Sequence, residues 1–165
     1  MRAILAKAIG GAVVALLIGQ AGPAAASAGQ TAAQPDSAPY TPGRGDPLRK
    51  AILDAVRPEA DRELGAPVAF VVREFNVLRD WAFVALEAQR PGGRAIDPVL
   101  TPFALRNGED ALDMFDCCHV EAVLKREPQG WRVLEAGVGT TDVWYTAWCD
   151  RVPSGLIGIC ASLKE

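Results

Sequence analysis

Apolar positions recur along this chain with two different periods, and the switch between them predicts its layout. Leu48, Ala51, Ile52, Ala55 and Val56 fall at helical spacing, and Leu64 keeps the same face. Arg49, Lys50, Asp54 and Arg57 lie off that stripe, so the pattern is that of an amphipathic helix. Asp46-Pro47 supplies its start, with aspartate as N-cap and proline at the first helical position. Pro58 lacks an N–H and is expected to kink or restart the helix, with Glu59 to Leu64 continuing it and Gly65 stopping it.

From Val68 the period becomes that of a strand. Val68 to Val77 is β-branched and aromatic, Leu78-Arg79-Asp80 reads as a turn, and Trp81 to Leu86 reads as a second strand. So short a connection makes the pair an antiparallel hairpin. Strict alternation puts Phe70 and Val72 on one face, interrupted by Glu74, and Val71, Phe75 and Val77 on the other, interrupted by Arg73. Two partly apolar faces predict a sheet covered by the helix on one side and partly covered on the other. A second hairpin follows at His119 to Arg126, with Val120, Ala122 and Leu124 on one face, and returns through Pro128-Gln129-Gly130 along Trp131 to Val138. Thr141-Asp142 reads as the cap of a short helix carrying Val143, Trp144 and Trp148, the two tryptophans at i, i+4. Between the hairpins, Gln89 to Asp116 is long and irregular, broken at Pro91-Gly92-Gly93, Asp97-Pro98, Thr101-Pro102 and Asn107-Gly108. Its Leu100, Phe103, Leu105, Leu112, Met114 and Phe115 are expected to anchor it to the domain. Loops of this length are uncommon without a role.

The amino terminus is read separately. Arg2 and Lys7 form a basic n-region, Ala8 to Gly19 an apolar stretch of 12 residues, and Ala26-Ser27-Ala28 an A-x-A cleavage pattern, so residues 1–28 read as a signal peptide. The apolar run is too short and too Gly-broken to span a bilayer. Residues 29–45 carry almost no large apolar side chain and are expected to be a flexible leader, with one α+β domain over 46–165. The Arg44-Gly45-Asp46 triplet at the end of this stretch is read as chance, because Asp46 has the capping role.

Removing residues 1–28 takes away Arg2 and Lys7 and no acid, which moves the formal charge from −3 to −5. An acidic chain with scattered basic residues argues against nucleic acid and against an anionic membrane surface. Export places all four cysteines in an oxidising compartment, where two disulfides are the default. If Cys117 and Cys118 open a strand, their side chains point to opposite faces, which favours Cys118–Cys149 and Cys117–Cys160 over a vicinal ring.

Candidate chemistry is sparse. Met114 to Glu121, MFDCCHVE, sets two cysteines beside the only histidine, but the spacing is wrong for a zinc knuckle and there is no Cys-x-x-Cys redox motif. No Gly-x-Ser-x-Gly elbow or phosphate loop is present, and no cofactor is predicted. Glu109, Asp110, Asp113 and Asp116 lack the spacing of a calcium loop and read as a solvated acidic stretch. Trp81 and Trp131, with Arg73, Arg132 and Asp142, are the candidate lining of a ligand groove.

The segments ILDAVRPE, FVVREFNV, DWAFVAL, EAVLKRE and WRVLEAGVGTTDV, over most of residues 47–145, resemble a family of small exported bacterial proteins with no assigned activity. The residues that carry the resemblance are Asp80, Trp81, Phe83, Val84, Trp131, Arg132, Val133, Gly139, Thr141 and Asp142. The resemblance implies a helix on a curved antiparallel sheet, similar to cystatin-like and nuclear-transport-factor-like folds, which host inhibitors, binding modules and some enzymes. The expectation is therefore a periplasmic or secreted, disulfide-stapled, non-catalytic binding protein. Its partner would be an envelope or extracellular protein or a small ligand. The alternative is an enzyme with a cone-shaped pocket using His119 or Asp142 as general base.

Overall fold

The carboxylate of Asp46 accepts the Leu48 N–H at 2.8 Å and Pro47 follows it, so helix α1 (Pro47–Leu64) begins on its cap. The structure, a computed structural model, describes residues 38–164; the expected signal peptide lies outside the described residues. Gly65, at φ +80°, ends the helix and donates its N–H to the Asp61 carbonyl at 2.9 Å. Pro58 sits on the exposed side and α1 runs through it. Ile52, Val56, Ala60 and Leu64 form the buried stripe, whereas Ala51 is exposed. The four-residue spacing carries the contact line away from Ala51 and onto Ala60.

Four strands make an open antiparallel sheet in the order β1 (Ala69–Leu78), β2 (Trp81–Gln89), β3 (His119–Glu127), β4 (Gly130–Val138). One feature of β1 overturns the strict alternation. Val72 pairs with Leu86, yet Glu74 pairs with Ala85, so Arg73 is an extra residue in a β-bulge. The bulge shifts the phase by one and puts Phe70, Val72, Phe75 and Val77 all on the α1 side. A second irregularity sits on β4, where Val123 pairs with Glu135 and Leu124 with Val133.

The first core lies between α1 and the sheet, built from Ile52, Val56, Ala60 and Leu64 against Phe75, Val77, Val84, Leu86, Val120 and Leu124. The other face is covered in part, as the pattern predicts, and the C-terminal segment supplies the cover. Leu78, Phe83 and Val123 pack against Val152, Leu156, Ile157 and Cys160. Asn76 donates to the Leu156 carbonyl at 2.9 Å, and Glu74 accepts the Gly158 N–H at 3.2 Å, which ties this segment to β1.

Three further sequence expectations change. The helix expected after Thr141-Asp142 is a 3-10 segment, Trp144–Trp148, with no side-chain cap. At three residues per turn the two tryptophans diverge: Trp144 meets Tyr145, and Trp148 meets Trp81 at 6.3 Å. Of the expected leader, 29–45, residues 29–37 lie outside the described residues, and residues 40–42 are attached to the domain. Tyr40 pairs with Val77 through two backbone hydrogen bonds of 3.0 and 2.9 Å and packs against the first core, and Thr41 donates to the Phe75 carbonyl.

The cysteines pair as Cys117–Cys118 and Cys149–Cys160, not across. Strand β3 begins only at His119, so alternation does not apply to the two cysteines before it. Cys118 belongs to the first core and Cys160 to the second, so the sheet lies between the two pairs.

Candidate functional site

The segment between the hairpins is a scaffold of short capped turns. Asp97 accepts the Val99 N–H at 3.1 Å and starts the 3-10 turn Pro98–Leu100. Thr101 is fully buried; its hydroxyl donates to the Pro98 carbonyl at 2.7 Å and accepts the Ala104 N–H at 3.2 Å, which starts α2 (Pro102–Asn107). A further 3-10 segment, Glu109–Met114, follows. Arg106 links α2 to α1 through the Glu63 carboxylate and the Arg62 carbonyl. Phe103 stacks on Phe115, centroids 4.0 Å apart and 8° from parallel. Leu112 packs on the first core beside them.

This bracing makes the outward side chains notable. Of the six residues expected to anchor the segment, Phe103, Leu112 and Phe115 do so. Leu100, Leu105 and Met114 instead are 69%, 76% and 72% exposed, and Val99 joins them. These four are half of the exposed large hydrophobics among the described residues. In the same stretch Asp97, Glu109, Asp110, Asp113 and Asp116 are also exposed. A six-residue helix has one face to bury, and here Ala104 and Phe103 occupy it.

A second cluster surrounds His119. Register places Glu87 opposite His119 and Ala85 opposite Glu121, all on the second face of the sheet. The imidazole Nε2 lies 3.5 Å from Glu87 and 3.8 Å from Asp116, and Nδ1 lies 3.9 Å from Glu121. Arg73 reaches Glu87 from the bulge at 3.9 Å. The Thr140 hydroxyl donates to Glu121 rather than to His119, so no hydroxyl–imidazole nucleophile pair forms there. Among the described residues no group of three or more His, Cys, Asp or Glu side chains is arranged to hold a metal ion.

Burial pushes the Glu121 carboxyl above its usual range, with His119 and the Thr140 hydrogen bond pulling it partly back. An acid whose pKa is raised by folding favours the fold while protonated. That contribution is full below the unfolded value of about 4.3 and is lost as pH rises through the folded value. Glu121→Gln is therefore expected to melt at the wild-type temperature near pH 3.5 and above it at pH 7.5. Thermal unfolding of both proteins at the two pH values checks this, and a lower melting temperature for the variant at pH 7.5 would contradict it.

The residues proposed as a groove do not converge. Trp81 lies on the second face, 4.0 Å from the Lys125 ammonium and against Trp148. Trp131 packs on the first core, across the sheet. Arg73 belongs to the His119 cluster, Arg132 pairs with Glu127 at 2.6 Å, and Asp142 is exposed in the bend after β4. Glu87 and Glu121 escape a sequence reading because only strand register brings them to His119. Leu100 and Leu105 escape it because Asp97-Pro98 and Thr101-Pro102 read as breaks, when each is a cap that starts a turn.

No family model matches the chain, nor does any curated protein or solved structure.

Proposed function

We propose that the protein is an exported, non-catalytic binding module that presents its 97–114 segment to another protein of the envelope or extracellular medium. The observation that carries this reading is the exposure of Leu100, Leu105 and Met114 on a backbone braced by Thr101, Arg106 and the Phe103–Phe115 stack. Large apolar side chains left in water on neighbouring braced turns are a mark of interaction surfaces. A protein partner is favoured over a small ligand. The cavity under the C-terminal segment, lined by Cys149, Val152, Ile157 and Cys160, is about 30 Å³ and has room only for water.

Export is supported by the signal-like residues 1–28 and by the pairing of all the cysteines among the described residues, which suits an oxidising compartment. No helix among the described residues is long and apolar enough to cross a membrane. We read the fold as closer to the cystatin-like arrangement than to the nuclear-transport-factor-like one. A helix precedes a four-strand meander, and side chains fill the space between them. The resemblance to small exported bacterial proteins agrees with this reading and adds no mechanism to it.

The test is a photo-crosslinking residue placed at Leu105, with Ala51 on α1 as the exposed control, in the full chain expressed in a bacterial host. A discrete crosslinked protein from Leu105 alone, in the fraction outside the cytoplasm, is the expected outcome. Equal yields from both positions, or none, would count against it.

A further inference from the structure

We propose that the 97–114 segment docks a cationic amphipathic stretch of its partner protein, a helix with leucine-like side chains on one face and lysine or arginine along the other. The inference rests on the binding-module reading and adds the chemistry of the partner. Asp97, Glu109, Asp110 and Asp113 are exposed on the same mutually contacting turns as Leu100, Leu105 and Met114. Arg106 is the one basic residue of the segment, and it is committed to Glu63 and the Arg62 carbonyl. Among the described residues, Glu109, Asp110 and Asp113 have no cation paired with them. The turns that carry the apolar side chains thus also carry three carboxylates with no paired cation.

That combination narrows the occupant. An anionic phospholipid surface or a nucleic acid is repelled by these exposed carboxylates. A second copy of the chain in an isologous contact sets the same carboxylates against themselves. A neutral apolar partner covers the leucines but draws water from carboxylates that gain no counter-charge, which is unfavourable. A cationic amphipathic helix covers Leu100, Leu105 and Met114 and brings counter-charges to the rim, where they steer encounter and set salt dependence. Met114 suits this role because an unbranched thioether adapts to differing side chains.

The probe is a fluorescent peptide with leucines at helical spacing on one face and lysines on the other. Two companions carry glutamine or glutamate in place of lysine. Anisotropy is read with the full chain at low and at physiological salt. The lysine peptide is expected to bind tightest, to weaken with salt, and to lose about tenfold with either Leu100→Ser/Leu105→Ser or Glu109→Gln/Asp110→Asn/Asp113→Asn. Asp54→Asn with Glu127→Gln, which neutralises acids elsewhere, is expected to leave binding within about twofold. Equal affinity for the glutamine peptide, retention of affinity by the triple variant, or no binding by any peptide overturns the inference. Crosslinking at Leu105 reports separately on the binding-module reading, so a crosslinked partner with a neutral or acidic contact stretch would sink the charge argument alone.

Discussion

Gly139→Ala is expected to destabilise the domain by about 2–4 kcal/mol, measured by urea unfolding at 25 °C. Two costs combine at this residue. Its φ is +67°, a conformation in which alanine is strained by about 1 kcal/mol. A Cβ there would lie 2.1 Å from Phe115 Cε2 and 2.3 Å from Cδ2, inside the ring's own volume. The backbone has little freedom to turn away, since Gly139 donates to the His119 carbonyl at 2.8 Å and accepts the Asp116 N–H at 2.9 Å. The ring must move instead, and Phe115 is the buried half of the stack that anchors Phe103 and α2. The variant should therefore lose lysine-peptide binding along with stability. Gly108→Ala separates the two costs, because its φ is +85° and nothing lies within 4 Å of the added carbon. It should cost about 1 kcal/mol and no more. Equal losses at both glycines would show that the Phe115 ring gives way freely.

What the sequence disclosed, and what it hid, follows from how locally each feature is determined. Helix α1 is local: Asp46-Pro47, a four-residue apolar spacing and Gly65 define it without reference to anything else. The hairpins are nearly so, because alternation and turn residues lie within a few positions of each other. The facing of β1 is not. One extra residue at Arg73 converts two mixed faces into one apolar face, and no composition signal marks a bulge at an arginine. The cysteine pairing needed knowledge of which core each sulfur enters. Alternation misled because Cys117 and Cys118 precede β3 instead of opening it. The His119 cluster depends on the β2–β3 register, which no local pattern fixes. The 97–114 segment was half legible. Its caps and acids are plain in the sequence, yet hydrophobicity alone assigns Leu100, Leu105 and Met114 to a core that has no room for them once Phe103, Leu112 and Phe115 have entered.

The two faces of the sheet should also respond differently to cavities. Phe83→Ala is expected to cost about 3–4 kcal/mol and Phe75→Ala about 4–5, although both rings are almost completely buried. Phe75 lies against α1, whose Ile52, Val56, Ala60 and Leu64 belong to one rigid element and cannot follow the missing ring. Phe83 lies under the C-terminal segment, 5.1 Å from the Tyr145 ring, and that segment is held by a few contacts and closed by Cys149–Cys160. It can settle toward the sheet and fill part of the void, which lowers the cavity cost. Settling moves Trp148 relative to Trp81 and to Glu135, which accepts the Trp148 indole N–H at 2.7 Å. Tryptophan fluorescence should therefore shift in Phe83→Ala below its unfolding transition and stay nearly fixed in Phe75→Ala. The 97–114 segment packs on the first core through Phe103 and Leu112, and Phe103 stacks on Phe115 of that core. Folded Phe83→Ala should therefore bind the lysine peptide as wild type does. A fluorescence shift in Phe75→Ala, or a lost peptide in Phe83→Ala, would mean that the two faces are coupled through the sheet.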